Sequence, residues 1–201
     1  MTMINTRILH PVESLILSKI PDFVKERARD IELVVFDVDG VLTDGSLYYS
    51  ANGESQKRFH ALDGHGMKML IQSGIQVAMM TGRQSEITNR RAAELGIPHL
   101  LQNVRNKRQA LTELCQELNI ELNQVAFIGD DLIDLAVMQR VGLALSVPNA
   151  PIYIQQAAHW VSQLAGGQGG AREHCDMILA SQGLLGPLLS HDSPIQGKVI
   201  Q

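Results

Sequence analysis

The chain has 201 residues, of which 45% are apolar and 19% charged, and its formal net charge is −4. This composition is typical of a globular protein and excludes a disordered or fibrous chain. The mild acidity argues against a nucleic-acid partner or an anionic membrane surface. No apolar stretch approaches the roughly 20 residues that a membrane-spanning helix needs.

The first 60 residues predict a helical segment, a buried strand and a hairpin. Residues 11–28 form one amphipathic helix or two short ones, with Pro21 as the interruption. Residues 31–38 are an apolar, β-branched run too short for a helix, which predicts a buried strand. Residues 46–60 contain two strand-like runs around Asn52-Gly53, a strong hairpin signal.

After the hairpin, predicted helices alternate with apolar strands. The predicted helices span residues 66–73, 85–95, 106–119 and 132–141, a short segment after residue 147, and a last helix around residues 172–181. The predicted strands span residues 75–80, 97–101, 124–128 and 142–147, with a short one near residues 159–161. Repeated strand–helix units of this kind predict a parallel sheet covered on both faces, that is, a three-layer, Rossmann-like α/β fold.

The domain organisation follows from these elements. We expect an N-terminal helical extension at residues 1–30, one α/β domain at residues 31–185 that includes the hairpin at residues 46–60, and a flexible tail at residues 186–201. The glycine-rich residues 166–170 predict a flexible loop within the domain. Residues 1–30 lack the basic start, the long apolar run and the cleavage site of a secretory signal, so we expect a cytoplasmic protein.

Carboxylates follow two of the predicted strands, at the edge of a parallel sheet where ligands bind. Asp37 and Asp39 come after the first strand, with Gly40 allowing a sharp turn. One carboxylate can attack phosphorus, and a second can protonate the leaving alcohol and then deprotonate water. Asp130 and Asp131, after a later strand, complete an oxygen-only set that fits Mg²⁺.

A hydroxyl and a lysine supply the other half of the predicted site. Thr81 and Gly82 follow the next strand, where the hydroxyl and a backbone amide can hold phosphate oxygens. Lys107, at a helix start, adds positive charge to the nucleophile and the phosphoryl group. Because phosphoryl transfer depends mostly on positioning and charge stabilisation, this set is sufficient in kind.

The chain resembles the haloacid-dehalogenase phosphatase superfamily over about residues 30–185. The general motifs are DVDGVLTD, MMTGR, Lys107 and IGDDLIDLAVM. More narrowly, the chain resembles the capless, tetrameric 3-deoxy-D-manno-octulosonate 8-phosphate (KDO 8-phosphate) phosphatases of lipopolysaccharide synthesis. Three features carry this narrower resemblance: the hairpin segment GSLYYSANGESQKRFHALDGHG directly after the first acidic motif, the absence of a large inserted cap, and AGGQGGAREHCDMILASQG near the C-terminus.

The resemblance implies roles for the residues of these motifs. Asp37 would be the nucleophile and a Mg²⁺ ligand, and Asp39 the general acid/base with a main-chain carbonyl on the metal. The other implied roles are Asp130 as the remaining protein ligand, Asp131 close behind the metal, Asp134 as a supporting residue, Thr81 and Lys107 on the phosphoryl group, and Gly82 and Arg83 beside it.

A sugar acid phosphate carries several negative charges, so basic groups should converge on it. The candidates for substrate binding are Lys57, Arg58, His65, Lys68, Arg83 and Arg172. Lys68 stands where relatives often carry an Arg, so a point charge replaces a bidentate group.

The resemblance also implies an assembly of subunits. In the family, the hairpins of four subunits assemble and a neighbour's C-terminal segment closes the open site. Residues 166–172 are the matching stretch here, and Tyr48, Tyr49 and Phe59 are candidate interface residues. The expected partners are therefore a sugar acid phosphate and three further copies of the chain.

Three other classes of protein share part of this pattern. A phosphorylated receiver domain also places acids, a Thr and a Lys at strand ends, but no acid follows residues 97–101, where that domain would need one. A non-catalytic metal-binding scaffold would not need the complete set of catalytic residues. A phosphatase for another sugar acid, such as a nonulosonate 9-phosphate, would share the fold and mechanism and differ in the substrate pocket.

Overall fold

A central sheet of six parallel strands organises the computed structural model, which describes residues 9–190. The strands are β1 (Leu33–Asp37), β4 (Gln76–Met80), β5 (His99–Leu101), β6 (Val125–Ile128), β7 (Leu143–Ser146) and β8 (Trp160–Val161), while β2 (Tyr48–Ser50) and β3 (Gly53–Gln56) form a separate antiparallel hairpin. The order across the sheet is β5-β4-β1-β6-β7-β8, with every neighbouring pair parallel. Strands β1, β6 and β7 are buried along their whole length, as a sheet covered on both faces requires.

Helices cover both faces of the sheet. They are α1 (Pro11–Leu17), α2 (Asp22–Ala28), α3 (Ala61–Gln72), α4 (Glu86–Leu95), α5 (Lys107–Leu118), α6 (Leu132–Met138), α7 (Ile152–Ala157), α8 (Gly170–Ser181) and α9 (Leu185–Leu189). Helix α8 packs against α1, α2 and α3, which places these helices in one layer, and α6 packs against α5 and α7 in the other. This arrangement is the one that right-handed crossovers produce. The predicted three-layer α/β fold is confirmed, and within residues 9–190 no helix is long and apolar enough to cross a membrane.

Helix α3 begins at Ala61, five residues before its predicted start at residue 66. Two glycines therefore lie inside the helix. A Cβ on Gly64 would collide with the Arg91 guanidinium of α4, and a Cβ on Gly66 would come within 2.8 Å of the Arg172 side chain of α8. The glycines thus allow close packing between helices, and this tertiary advantage outweighs their low helix propensity.

The glycine-rich residues 166–170 are not a flexible loop, and that prediction was wrong. They are mostly buried, and the N–H of Gly167 donates a hydrogen bond of 2.9 Å to the carbonyl of Val41, in the turn after β1. The absence of side chains lets this backbone lie directly on another backbone segment. Composition alone does not distinguish such a contact from chain flexibility.

Both ends of the described chain pack onto the domain. Helix α1 contacts α8 and α9, and the buried Glu13 accepts hydrogen bonds from the N–H of His10 (2.8 Å) and of Gly186 (2.7 Å). Helix α9 (Leu185–Leu189) extends into the first residues of the predicted tail. The rest of that tail, residues 191–201, and residues 1–8 of the predicted extension lie outside the described residues.

Candidate active site

The candidate site lies where the chain changes direction across the sheet. From β1 the chain proceeds to β4 and β5 on one side, and then returns to β6 on the other side of β1. Ligands of open α/β sheets bind beyond the carboxyl ends of the strands at such a switch point. Asp37 ends β1, Thr81 follows β4, and Asp130 follows β6, so the three polar residues meet at this edge.

A tight turn after β1 carries the two carboxylates of the first motif. Asp39 has φ −87° and ψ 96°, and Gly40 has φ +110°, a conformation that favours glycine. A Cβ on Gly40 would collide with the carboxylate of Asp130, so the glycine also makes room for that group. The Thr43 hydroxyl closes the turn by donating to the carbonyl of Val38 (3.3 Å) and accepting from the N–H of Gly40 (3.3 Å).

Two side chains each bind one oxygen of the Asp39 carboxylate. The Thr81 hydroxyl donates a hydrogen bond of 2.9 Å to Oδ2, and Lys57 forms an ion pair with Oδ1. The Thr81 oxygen in turn accepts from the N–H of Arg83 at 3.1 Å. The side chain of Lys57 is 2% exposed and that of Asp39 is 20% exposed, so this ion pair is partly shielded from water. Both contacts fix the orientation of the Asp39 side chain.

Lys107 joins the nucleophile candidate to a supporting carboxylate. Its Nζ forms an ion pair with Asp37 and donates a hydrogen bond of 2.7 Å to Oδ1 of Asp134. The other oxygen of Asp134 accepts from the N–H groups of Asp130 (3.0 Å) and Asp131 (3.2 Å). Burial acts to lower the pKa of Lys107, but the charges of Asp37 and Asp134 outweigh it and raise that pKa. Lys107 is therefore a permanent cation at this site.

Burial and like charges act on the carboxylates themselves. Burial raises the pKa of Asp37 well above its ordinary value, although Lys107 acts in the opposite direction. Burial, followed by the nearby charge of Asp134, raises the pKa of Asp130 to about 7. Two buried carboxylates this close together are stabilised in their ionised forms by a cation between them.

The carboxylates fit a hard divalent cation. One oxygen from each of Asp37, Asp130 and Asp134 lies within 4.8 Å of the other two. Asp134 already uses both oxygens for Lys107 and two backbone N–H groups, so Asp37 and Asp130 are the pair left to bind a metal. Oxygen donors that leave positions for water and phosphate suit Mg²⁺. The main-chain carbonyl of Asp39 as a third ligand stays a prediction.

Asp131 has a local structural role that the structure shows directly. It is the N-cap residue of α6, and its Oδ1 accepts a hydrogen bond of 2.7 Å from the N–H of Leu132. Asp134 completes a capping box with it. The acidic motif after β6 therefore combines a metal-ligand candidate with the start of a helix.

The hairpin contributes a carboxylate that sequence reasoning missed. Glu54 accepts hydrogen bonds from Lys57 (3.1 Å) and from the hydroxyl of Ser85, and it lies 3.6 Å from Arg83. The Arg83 guanidinium also donates a hydrogen bond of 2.6 Å to the hydroxyl of Tyr49. Lys57 and Arg83, both predicted to bind substrate, are thus brought to the site edge beside Thr81. Nothing in the local sequence distinguishes Glu54 from an exposed hairpin residue.

Other predicted substrate residues form a separate cluster on α3 and α8. Arg172 donates a hydrogen bond of 2.7 Å to Asp176, and burial together with the charges of Arg172 and Lys68 lowers the pKa of His65. Within the described chain, none of the three basic residues forms a hydrogen bond or ion pair with Asp37, Asp39 or Thr81. Arg58 lies 3.8 Å from Asp44. Substrate binding by these residues stays a prediction.

The stretch predicted to close a neighbouring subunit's site, residues 166–172, begins with contacts to its own chain. Residues 166–167 lie against Gly40 and Thr43 of the same chain. These contacts support the turn after β1 of the same subunit. Closure of a neighbouring subunit's site by residues 166–172 stays a prediction.

The fold and the site together define a class of protein, a phosphohydrolase with a Rossmann-like α/β fold. The features that define it are the parallel sheet, the paired carboxylates, the buried lysine and the candidate metal ligands. Comparison with known proteins agrees. The family model of haloacid dehalogenase-like hydrolases matches residues 92–169. The 3-deoxy-D-manno-octulosonate 8-phosphate phosphatase of Escherichia coli strain B / BL21-DE3 is 44% identical over 162 residues, covering 81% of this chain and 86% of that protein.

Solved structures give the same result. The phosphatase of that name from Yersinia pestis has a TM-score of 0.80 and 45% identity, covering 82% of this chain and 89% of the other. The phosphatase from Moraxella catarrhalis, solved in complex with a magnesium ion, a phosphate ion and a KDO molecule, has a TM-score of 0.77 and 42% identity, covering 79% of this chain and 91% of the other. The chain belongs to the haloacid dehalogenase-like hydrolases, and within them to the family of the 3-deoxy-D-manno-octulosonate 8-phosphate phosphatases.

Proposed function

We propose that this chain hydrolyses KDO 8-phosphate to KDO and inorganic phosphate with Mg²⁺, through a phosphorylated aspartate. The observation that carries the proposal is the pairing of two carboxylates on one turn with different partners. Asp37 is paired with Lys107 beside Asp130, whereas Asp39 is held by Thr81 and Lys57. One carboxylate is thus placed at the metal-binding pair, and the other is kept apart for proton transfer.

In the first step, a carboxylate oxygen of Asp37 attacks the phosphorus atom. The new O–P bond forms as the bond between phosphorus and the sugar oxygen breaks. Asp39, in its protonated form, gives its proton to the departing oxygen, so KDO leaves as an alcohol. Lys107 stays charged throughout and offsets the negative charge that gathers on the phosphoryl oxygens.

In the second step, Asp39 takes a proton from a water molecule as that water attacks phosphorus. The O–P bond to Asp37 breaks, and inorganic phosphate and the free carboxylate are restored. The Thr81 hydroxyl keeps Oδ2 of Asp39 in one orientation for both proton transfers. Asp37, Asp130 and the main-chain carbonyl of Asp39 would hold Mg²⁺, which supplies charge neutralisation for the carboxylates and the phosphoryl oxygens.

Substrate recognition is proposed for the basic residues at the edge of the site. Lys57 and Arg83, with the Gly82 backbone between Thr81 and Arg83, are placed to contact the anionic substrate. Both cations lie beside Glu54, so an anionic substrate would compete with that carboxylate for them. His65, Lys68 and Arg172 are proposed as a second basic surface that meets substrate only if a neighbouring subunit presents it.

We also propose that the chain works as a cytoplasmic homotetramer that supplies KDO for lipopolysaccharide synthesis. Large apolar side chains stand exposed on the hairpin and on the helices around the strand ends, which supports contact between subunits there. These exposed residues are Leu47, Tyr49, Leu62, Leu132, Ile133 and Ile152.

The experiment that tests the function is phosphate release from a panel of sugar phosphates, with Mg²⁺ and with EDTA. We expect selective, metal-dependent hydrolysis of KDO 8-phosphate, with Asp37→Asn inactive under the same conditions. Preference for a nonulosonate 9-phosphate would keep the mechanism and replace the substrate. No hydrolysis across the whole panel would overturn the proposal and favour the scaffold interpretation.

A further inference from the structure

The turn that carries Asp39 and Gly40 is covered by residues 166–170, here called the glycine loop. A Cβ on Gly166 would collide with the carbonyl oxygen of Gly40 and would lie 3.1 Å from the carbonyl oxygen of Thr43. Gly166 does not have a positive φ. The position therefore requires glycine because of the close approach of two backbone segments, not because of an unusual conformation.

A single side chain fastens the glycine loop to the turn. The amide of Asn149 donates a hydrogen bond of 3.0 Å from Nδ2 to the carbonyl of Gly40, and its Oδ1 accepts one of 2.8 Å from the N–H of Gly166. The N–H of Gly167 donates a third hydrogen bond, of 2.9 Å, to the carbonyl of Val41. Because an amide offers a donor and an acceptor in one plane, Asn149 can bridge a carbonyl on one segment and an N–H on the other.

A second side chain fastens the far end of the same loop. Asp63 is 2% exposed, and its carboxylate accepts hydrogen bonds from the N–H of Arg172 (2.8 Å) and the N–H of Gly169 (3.3 Å). Both N–H groups belong to the start of α8, where helix donors lack partners within the helix. The glycine loop is thus held by Asn149 at one end and by Asp63 at the other.

The turn beneath the loop determines the geometry of the candidate metal site. The Cα of Gly40 faces the Asp130 carboxylate so closely that a Cβ there would collide with it. A displacement of the Gly40 backbone therefore changes the space available to Asp130 and the position of the Asp39 carbonyl together. Side chains that orient metal ligands from behind commonly determine metal affinity.

We infer that Asn149 and Asp63 are positioning residues for Mg²⁺ binding, acting through the glycine loop on the Asp39–Gly40 turn. The hydrogen bonds of both side chains go to backbone groups of residues 40, 166, 169 and 172, and not to the side chains of the metal-ligand candidates. The inference rests on the proposed function only in taking Mg²⁺ as the ion, since the contacts among Asn149, Gly166 and Gly40 stand whatever the substrate is.

The test is direct measurement of Mg²⁺ binding by calorimetry on full-length Asn149→Ala, Asp63→Asn and Gly166→Ala proteins. Asn149→Ala removes the bridge between Gly40 and Gly166, and Asp63→Asn weakens the hydrogen bonds at the other end of the glycine loop. Gly166→Ala disturbs the close approach of the two backbone segments. We expect the Mg²⁺ dissociation constant to rise about tenfold, the scale typical for residues behind metal ligands. The Mg²⁺ concentration for half-maximal turnover should rise in parallel, and turnover at saturating Mg²⁺ should recover much of the loss.

Glu13→Gln is the matched control. Glu13 is also a buried carboxylate that accepts hydrogen bonds from two backbone N–H groups, but those groups belong to His10 and Gly186. The Glu13→Gln substitution should lower thermal stability without changing the Mg²⁺ dissociation constant. This control separates a loss of positioning from a loss of stability. If Asn149→Ala does not fold, Asn149→Ser, which keeps a polar group at the position, serves in its place.

An unchanged Mg²⁺ dissociation constant in the folded Asn149 and Gly166 variants would overturn the inference, and an unchanged constant in Asp63→Asn would overturn the role of Asp63. An equal rise in the Glu13→Gln control would overturn it as well, because the effect would then follow stability alone. A wild-type protein that binds Mg²⁺ but releases no phosphate from KDO 8-phosphate would instead overturn the proposed function. In that case weakened Mg²⁺ binding in the variants would still support the positioning role.

Discussion

The hydroxyl of Thr81 donates a hydrogen bond of 2.9 Å to Oδ2 of Asp39, joining the end of β4 to the turn after β1. The two residues are 42 positions apart in sequence. Thr81 is 2% exposed, so no solvent molecule can easily replace its hydroxyl. The contact gives Asp39 a fixed orientation before substrate arrives, which is the condition for efficient proton transfer from a side chain.

Thr81→Val is therefore expected to lower turnover strongly while leaving the fold intact. Valine keeps the shape of threonine but offers no hydrogen bond, and removal of one positioned donor costs about a hundredfold in rate. Thr81→Ser, which restores the hydroxyl, should recover most of the activity. Steady-state phosphate release for both variants, with thermal unfolding as a check on folding, measures this; equal rates for Val and Ser would contradict it.

Asp37→Asn is expected to abolish turnover, by at least about a thousandfold, because an amide cannot form the phosphorylated intermediate. The substitution keeps the size of the side chain. Lys107 keeps its hydrogen bond to Asp134 in this variant, so we expect the protein to fold. Phosphate release and the unfolding midpoint are measured together. Substantial activity in a protein confirmed by mass would overturn the nucleophile assignment.

Lys107→Met is expected to destabilise the protein as well as inactivate it. Lys107 is 3% exposed and pairs with Asp37 and Asp134, so its loss leaves two buried carboxylates without a cation. Breaking a buried ion pair from one side costs about 3–5 kcal/mol. Urea unfolding in EDTA measures the change, and Arg90→Met, which removes an exposed ion pair with Glu94, is the control expected to stay near wild type. A similar midpoint for both variants would contradict a buried structural cation.

The positions of the strand-end residues could be predicted from the sequence because they depend on one periodic pattern. An apolar strand buried on both faces ends where its first polar residue appears, and Asp37 and Thr81 are such residues. Parallel strands in sequence order then bring these ends to one edge of the sheet. The apolar pattern of each strand and the topology of the sheet therefore predict the same place for these residues.

The contacts between segments could not be predicted in the same way. Glu54 and Asn149 act across the fold, and their partners Ser85 and Gly40 are fixed only when the hairpin and the glycine loop have packed. The residues next to Glu54 and Asn149 in the sequence do not indicate these contacts. The start of α3 was misplaced for a related reason, since Gly64 allows close packing against a helix distant in sequence.

The assembly state gives a further prediction. If the hairpin forms the subunit interface, the protein should elute at about four times its mass of 22.1 kDa in size-exclusion chromatography with light scattering. Tyr49, 61% exposed on the hairpin, is the test position, and Tyr49→Glu should shift the distribution toward smaller species. Leu15→Glu, at a position that is 64% exposed on α1 and is not among the proposed interface residues, is the comparison expected to leave the distribution unchanged. A wild-type monomer at micromolar concentration would contradict the tetramer.

His174 makes the stability of the fold depend on pH in a defined direction. Its ring is fully buried, its Nε2 lies 3.0 Å from the carbonyl of Ser146, and it packs edge-on against Trp160 with ring centroids 5.1 Å apart. A carbonyl only accepts, so Nε2 carries the proton of a neutral ring. Burial lowers the pKa of His174 from 6.5 to about 3 in the folded protein.

As the pH falls below 6.5, the unfolded chain therefore takes up a proton at His174 that the folded chain does not. The stability that depends on the neutral ring is fully present above pH 6.5 and is lost progressively between pH 6.5 and about 3. The loss approaches about 1.4 kcal/mol per pH unit for a single group. Urea unfolding of wild type and His174→Gln at pH 7.5, 6.0 and 5.0 measures it: the free energy of unfolding should fall more steeply in wild type, because glutamine has no proton to take up. Parallel curves for the two proteins would show that His174 is not the source of the acid sensitivity.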